Sequence, residues 1–229
     1  MGTERVALSK QGQVRSANPP LIFDKDAQRR QKREAVIGVA AAAFNRRGFA
    51  NTSMDDVARA LGVTKPTVYQ YFSTKQDILF ECHHRAMDHG EAGLKLAENH
   101  DGNGCDKVIV YLRRYMQGIF GEFGTCAVLT DVDSLTEKQR DAVVARRSKI
   151  SEATRVLIEK GIRDGSIEPC NAKLATLFIL GAVNWIPLWY REYGPHTPDE
   201  IVDEFAHLLK RSLFAAPASD LTKKIDNNL

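Results

Sequence analysis

Residues 64–74, TKPTVYQYFST, are rich in side chains that donate hydrogen bonds to nucleic acid, and they include no carboxylate. Lys65 suits the O6 and N7 atoms of guanine, and Gln70 suits adenine or a phosphate. The Pro66 ring and the Thr67 methyl group suit the methyl group of thymine. Tyrosine hydroxyls in the same stretch suit phosphate oxygens. These residue types indicate contact with both the bases and the backbone of duplex DNA.

Two short helices joined by a tight turn are predicted to present this stretch. Ser53 and Asp56 have capping-box spacing at the start of the first helix, and Gly62 marks the turn. Thr64 caps the second helix, in which Pro66 occupies the first turn, where its missing N–H costs nothing. In a helix-turn-helix the second helix enters the major groove, which is about 12 Å wide.

The alternative to DNA contact is that the second helix only packs within the protein. Val68 and Phe72 lie four positions apart and are expected to anchor it in a core, and Tyr71 fits a half-buried position equally well. Charge favours DNA, since residues 1–75 carry 13 Lys and Arg against 6 Asp and Glu, whereas the remainder carries 19 against 23. A basic segment on a mildly acidic body is typical of a nucleic-acid-binding domain joined to a partner domain.

Composition and spacing exclude several other classes. The 229 residues are 43% hydrophobic and 27% charged, as in a soluble globular protein. No apolar leader follows Met1, and the longest apolar stretch, residues 174–190, falls short of the roughly 20 residues of a membrane span, so we expect a buried helix there. Four cysteines without a CxxC pair favour a cytoplasmic protein with buried thiols. His83, His84 and His89 lack the i, i+4 spacing of a helical metal site, and catalytic motifs are missing, so we expect no metal, no cofactor and no enzymatic activity.

The chain has helical but no strand-like periodicity, which predicts an all-α fold. Residues 1–24 read as a flexible arm and residues 215–229 as a tail, with a helix-turn-helix domain over 25–74 and a larger helical domain over 75–214. The predicted helices cover residues 27–47, 53–61, 64–72, 73–99, 105–123, 127–133, 136–163, 171–190 and 197–213. Capping boxes are predicted at Ser73/Gln76, Thr136/Gln139 and Thr197/Glu200.

The N-terminal motif resembles a known family. Gly48-Phe49, Thr52-Ser53-Met-Asp-Asp-Val-Ala58, Leu61-Gly62-Val63, Thr67-Val-Tyr-Gln-Tyr-Phe72, Lys75 and Leu79 together look like the DNA-binding domain of the TetR family of bacterial repressors. The resemblance implies a three-helix DNA-binding domain fused to a helical domain that binds a ligand and dimerises. It also implies DNA contacts at Thr52, Ser53, Lys65, Pro66, Thr67, Tyr69, Gln70, Tyr71 and Lys75. Arg29, Arg30 and Arg33 of the first helix add phosphate contacts or form a solvated face.

The C-terminal part shows a narrower likeness. Residues 181–200 are similar to TetR-family regulators of fatty-acid and sterol degradation, which respond to acyl-CoA thioesters. This implies a tunnel with apolar walls, formed by Tyr115, Met116, Ile119, Phe120, Phe123, Phe178, Trp185 and Trp189. Its mouth would hold CoA phosphates through Arg113, Arg114, Arg146 and Arg147. The alternative is that the aromatic residues are core and the arginines are solvated.

These observations lead to one functional hypothesis and one alternative. The hypothesis is a dimeric repressor that binds a palindromic DNA operator and is released by a small apolar effector, with an acyl-CoA thioester as candidate. Its two C-terminal helices would pair with those of a second copy in a four-helix bundle. The alternative is a constitutive architectural DNA-binding protein without a ligand.

Overall fold

The computed structural model describes residues 25–121 and 127–213, which form eight α-helices, one 3-10 helix and no strand. The all-α prediction is therefore confirmed. The predicted arm, the tail and Phe123 lie outside the described residues. In chain order the helices are α1 (Lys25–Arg47), α2 (Met54–Leu61), α3 (Lys65–Tyr69), α4 (Lys75–Glu98), α5 (Gly104–Phe120), a 3-10 helix (Ala127–Ser134), α6 (Glu137–Asp164), α7 (Ala172–Trp189) and α8 (Pro198–Leu213).

Local capping sets most helix boundaries. The Ser53 side chain accepts a hydrogen bond from the Asp56 amide, and the Asp56 carboxylate accepts one from the Ser53 amide, so the predicted capping box of α2 is present. Gly62 ends α2 in the left-handed conformation, with φ of 68°, which glycine adopts without strain. The boxes at Thr136/Gln139 and Thr197/Glu200 are also present.

The predicted cap of α4 is wrong by one residue. Thr74 and Asp77, not Ser73 and Gln76, exchange the two capping hydrogen bonds. Both pairs have the required spacing, but Asp77 adds a negative charge in the first turn, where the helix dipole stabilises it.

The apolar residues form two clusters that share helices. The first joins α1, α2, α3 and the first half of α4 with Leu135 and Val143, which lie more than sixty residues after α3. The second joins Ala97 at the end of α4 with α5, α6, α7 and α8. Because α4 and α6 contribute to both clusters, the two halves of the chain are packed together and not merely linked.

Helix α7 is only partly buried, in contrast to the expectation of a buried helix. One face, including Ile179 and Val183, lies in the second cluster, whereas Phe178 and Trp185 are 63% and 60% exposed. Among the described residues α7 is the one helix long and apolar enough to cross a membrane, but core helices of soluble proteins pass the same test. Cys82 and Cys105 are buried as expected, whereas Cys170 is exposed.

Candidate DNA-binding surface and effector cavity

Helix α3 and the turn that follows it, through Phe72, present one polar face and one anchoring face. Val68 and Phe72 are buried as predicted, with exposures of 0% and 4%. The side chains of Lys65, Pro66, Tyr69 and Gln70 are exposed on the other side, and Thr67 and Tyr71 are half-buried. The outer face thus offers an ammonium, an amide and a phenol to an approaching molecule.

Lys65 has an acidic neighbour, and that neighbour comes from helix α2, not from α3. Its Nζ lies 2.8 Å from Asp55 Oδ2 of helix α2, and both side chains are about half exposed. The hydrogen bond and the charge of Asp55 raise the pKa of Lys65. A molecule that binds the Lys65 ammonium would therefore have to displace Asp55.

The two residues before α2 are engaged within the protein. The Ser53 hydroxyl donates to Asp56 Oδ2 at 2.6 Å, and this bond chiefly lowers the pKa of Asp56 to about 2. Thr52 is 1% exposed, and its hydroxyl donates to the carbonyl oxygen of Gly48 at 2.9 Å. The Thr52 side chain therefore faces the interior, and the DNA contact implied at this position stays a prediction.

Lys75 also has partners within the protein, and its expected phosphate contact stays a prediction. Its Nζ donates to the carbonyl oxygens of Phe49, Ala50 and Thr52 at 2.9, 3.3 and 3.1 Å. The same ammonium lies 4.4 Å from the centre of the Phe49 ring. An ammonium has three N–H donors, and here all three are directed at the turn between α1 and α2. Lys75 therefore fastens that turn to the start of α4.

A cavity of about 430 Å³ lies among helices α4 to α7. Its volume is within the range of small-molecule sites. Most of its wall is apolar, and four polar residues interrupt that wall. The lining residues are Ala86, Met87, Tyr115, Arg147, Ile150, Ser151, Leu177, Leu180, Gly181, Asn184, Trp185 and Leu188.

The polar part of the cavity forms a connected group. Tyr115 donates its hydroxyl proton to Asn184 Oδ1 at 2.7 Å, and burial raises the pKa of Tyr115 to about 12. Arg147 Nη2 lies 3.0 Å from His83 Nδ1 on α4. Burial lowers the pKa of Arg147, and Tyr115 opposes that effect. A guanidinium, a phenol and an amide from three different helices therefore converge on one cavity.

His83 is neutral in this environment. The imidazole is 1% exposed, and burial, followed by the charges of Arg147 and His84, lowers its pKa to about 3. Because arginine only donates hydrogen bonds, His83 Nδ1 must be the acceptor and the proton must reside on Nε2. The Nε2 atom is buried and has no hydrogen-bond partner among the described residues.

Two family descriptions match this chain. Residues 36–82 match "Bacterial regulatory proteins, tetR family", and residues 101–213 match "Tetracyclin repressor-like, C-terminal domain". The chain belongs to the TetR family. It is therefore a DNA-binding transcriptional regulator, and members of this family regulate transcription in the bacterial cytoplasm and are not enzymes.

Individual TetR-family relatives have low sequence identity to this chain, but the matched regions cover most of both chains. The transcriptional activator FasR of Mycolicibacterium smegmatis is 23% identical over 76% of this chain and 80% of its own. The repressor KstR2 of Rhodococcus jostii is 22% identical over 83% and 95%. The structure of PfmR from Thermus thermophilus superposes with a TM-score of 0.69 at 25% identity, covering 77% and 97%. The structure of AibR with isovaleryl coenzyme A and operator DNA superposes with a TM-score of 0.67 at 24% identity, covering 78% of this chain and 97% of AibR. This superposition supports the fold.

Among the predicted effector residues of this TetR-family protein, three line the cavity, namely Tyr115, Arg147 and Trp185. Arg113 and Arg146 do not, because both are held by carboxylates. Arg113 Nη1 lies 2.5 Å from Asp203, and Arg146 contacts Asp88 and Glu91 at 2.6 and 2.7 Å. Arg114 is half-buried on α5 and is not part of the lining.

Most of the other residues predicted for the wall do not line this cavity. Ile119 and Met116 belong to the second core cluster, and Phe120 packs edge-to-face on Tyr190 at 4.8 Å between ring centres. Trp189 stacks on Phe205, and Phe178 is exposed. These residues follow the hydrophobic periodicity of their helices, which does not distinguish a core from a cavity wall.

Sequence reasoning missed the contributions of α4 and of the middle of α6 to the cavity. Ala86 and Met87 of α4, with Ile150 and Ser151 of α6, carry no distinctive signal in the sequence. Asn184 does, since it is a lone amide inside the apolar helix α7. Such a residue needs a partner when it is partly buried, and here the partner is Tyr115.

Replacing Lys75 by Met should destabilise the protein. The change removes three charge-assisted hydrogen bonds to the turn before α2 and leaves the carbonyls of that turn without their donor. We expect a loss of about 1–3 kcal/mol in the free energy of unfolding, measured by urea titration with circular dichroism. Lys65→Met is the matched control, because an exposed ion pair contributes about 0–1 kcal/mol. Equal losses in the two variants would contradict the assignment.

Replacing His83 by Asn should reduce the loss of stability on acidification. The folded pKa of His83 lies below the value of about 6.5 for an unfolded histidine, so the unfolded chain binds the proton first. Stability present above pH 6.5 is therefore lost as the pH falls, by roughly 2 kcal/mol between pH 7 and pH 5 for this group alone. Urea titrations at both pH values should show a smaller change in His83→Asn than in the wild type. The same pH dependence in both proteins would exclude a buried neutral His83.

Proposed function

We propose that this TetR-family protein is a dimeric repressor that binds a palindromic operator and is released by a small apolar effector. The observation that carries the proposal is the course of α4. This helix starts at the DNA-reading domain and lines the effector cavity with Ala86 and Met87. The proposed division is a reading domain over residues 25–74 and a sensing domain over 75–214, flanked by an arm and a tail.

The outer face of α3 is the proposed reading surface. Lys65 and Gln70 are placed to address base edges, and Pro66 and Thr67 to contact a thymine methyl group. Tyr69 and Tyr71 would donate to phosphates, as would the backbone amides at the start of α2 beside Ser53. Thr52 and Lys75 lie beside this surface and bond to the turn between α1 and α2. A shallow depression between α2 and α3, lined by Ser53, Lys65, Tyr69 and their neighbours, offers room for a phosphate.

The exposed apolar face of α7 and α8 is the proposed dimer interface. Soluble monomers rarely expose apolar patches of this kind, and pairing two helices with their symmetry mates buries the patch in a four-helix bundle. Two reading helices would then lie roughly 34–36 Å apart on successive major grooves, so the operator would be an imperfect palindrome. The side chains involved are Leu174, Leu177, Phe178, Trp185 and Leu208, all more than half exposed.

The cavity supports an effector with a compact apolar part. An acyl chain suits the walls formed by Met87, Ile150 and Leu180, and an acyl-CoA thioester remains the candidate class. AibR, a structural neighbour, was crystallised with isovaleryl coenzyme A and operator DNA. The coenzyme would lie outside the cavity, because Arg113 and Arg146 are already paired with carboxylates.

Effector binding would act on the operator through α4. A ligand wedged beside Ala86 and Met87 displaces this helix, which changes the separation of the two reading heads. The ligand can shift the equilibrium only by its difference in affinity for the two states, typically 1–3 kcal/mol.

An effector competition experiment tests this function. A random duplex library selects the operator, and the complex is then challenged in gel shifts with fatty acids, their CoA thioesters and free CoA. We expect an imperfect palindrome and release by at least one acyl compound but not by free CoA. An operator complex that survives every acyl compound would favour a constitutive architectural protein. Lys65→Met serves as control, since it should weaken operator binding by about 1–3 kcal/mol without changing effector affinity.

Phe178→Asp should separate the dimer. The change places a charge in the centre of the proposed apolar interface, where it would be buried without a partner. Sedimentation velocity should show dimers for the wild type and monomers for the variant, and operator affinity should fall because the two half-sites are no longer bound together. Glu192→Gln, an exposed change after α7, is the control. A Phe178→Asp protein that remains dimeric would exclude this interface.

A further inference from the structure

We propose that Arg147 is the residue that recognises the effector, by binding a carboxyl oxygen on an apolar chain, and that this contact replaces its hydrogen bond to His83 on α4. The inference rests on the proposed function, since it names the effector chemistry and the coupling at the same cavity.

Two adjacent arginines of α6 have different partners on α4. Arg146 donates to the carboxylates of Asp88 and Glu91, at 2.6 and 2.7 Å. Arg147 lines the cavity and donates to the neutral imidazole of His83 at 3.0 Å. The Arg147–His83 bond joins a charged donor to a neutral acceptor, whereas a carboxylate would add the attraction of an opposite charge, which is stronger inside a protein than in water. A carboxylate entering the cavity is therefore a better partner for Arg147 than His83 is, whereas it cannot improve on the partners of Arg146.

The surroundings of Arg147 indicate how the effector lies. Tyr115 and Asn184 are joined by a hydrogen bond of 2.7 Å, and Tyr115 also interacts electrostatically with Arg147. These groups and Ser151 form the polar part of the lining, and apolar side chains form the rest. A molecule with one oxygen-rich end and a hydrocarbon body matches this division. A free carboxylate and the carbonyl oxygen of a thioester share the required acceptor chemistry.

The His83 contact gives the same residue a role in signalling. His83 is buried within α4, eight residues after Lys75, which fastens the turn between α1 and α2. When Arg147 turns to an effector, the buried Nδ1 of His83 loses its donor, and α4 loses one of its ties to α6. The remaining polar ties include the hydrogen bond from Gln139 to Asp77 near the start of α4 and the contacts of Arg146 with His84, Asp88 and Glu91.

Binding of simple probes in the absence of DNA tests the recognition step. Octanoate, octanoyl-CoA and the neutral analogue octanol are titrated into the full chain, with fluorescence of Trp185 and Trp189 and isothermal calorimetry as readouts. We expect Arg147→Met to weaken octanoate or octanoyl-CoA binding by about 10- to 100-fold and to leave octanol binding unchanged. Whichever of the two compounds loses affinity in this variant identifies the acid or the thioester as the source of the oxygen. Arg113→Met, on the surface of α5, should behave as the wild type.

Two outcomes would overturn the recognition step. One is octanoate and octanoyl-CoA binding to Arg147→Met as tightly as to the wild type. The other is an equal loss for octanol, which would show that the cavity itself has collapsed. If Arg147→Met does not fold, Arg147→Lys keeps the charge and should retain binding within about tenfold, whereas Arg147→Gln should not.

A pair of His83 variants tests the coupling. His83→Leu removes the acceptor of Arg147, so effector affinity should stay equal or rise, while the ratio of operator affinities without and with effector should fall toward one. His83→Asn, which keeps an acceptor near the position of Nδ1, should retain that ratio. A wild-type ratio in His83→Leu would exclude the relay. If the acids bind through Arg147 but never release the operator, the proposed release mechanism fails while the recognition step stands.

Discussion

The unbroken helix α4 is the constraint on which the rest of the structure depends. Its first half packs in the cluster that holds the DNA-reading helices, and Ala97 near its end packs in the cluster of the C-terminal helices. With 24 residues and a rise of about 1.5 Å per residue, it spans about 36 Å. Lys75 at one end ties the turn before α2, and Met87 in the middle lines the cavity. A movement of α4 at the cavity therefore also affects the packing at the turn before α2, and the reverse holds as well.

The contacts of α4 differ in how readily they can change. Toward α5 the backbones approach closely: a Cβ atom on Gly93 would lie 2.9 Å from the Tyr111 carbonyl oxygen, and one on Gly118 would lie 2.4 Å from the His89 ring. Close-packed contacts of this kind are either kept or broken. Toward α6 the packing includes polar ties from Arg146, Arg147 and Gln139, and polar partners can be exchanged one for another. A signal that moves α4 is therefore more readily produced at the α4–α6 side, which is where the cavity lies.

Features encoded by neighbouring residues could be predicted from the sequence, and features that join distant residues could not. Most helix boundaries followed from caps three residues apart, although that of α4 was displaced by one residue, and the inward direction of Val68 and Phe72 followed from helical spacing. The family resemblance supplied the class of function but not the geometry of each side chain. Lys75 has acceptors 23 to 26 residues away, and Arg113 has a carboxylate 90 residues away. Such pairs are created by tertiary packing, so an exposed contact and an internal tie look the same in the sequence.

The position of the cavity links sensing to assembly as well as to DNA. Leu177 and Trp185 line the cavity and also belong to the exposed apolar face of α7, and a Cβ atom on Gly181 between them would meet nothing within 4 Å. On the proposed dimer, a second copy would therefore cover the side of the cavity that the single chain leaves open. A ligand that packs against these residues then has different affinities for the single and paired chains. Because binding free energies are reciprocal, dimer formation must change effector affinity by the same factor by which the effector changes dimer formation. Recognition of the effector, pairing of the chains and spacing of the reading heads would thus depend on the packing of two helices, α4 and α7, around one cavity.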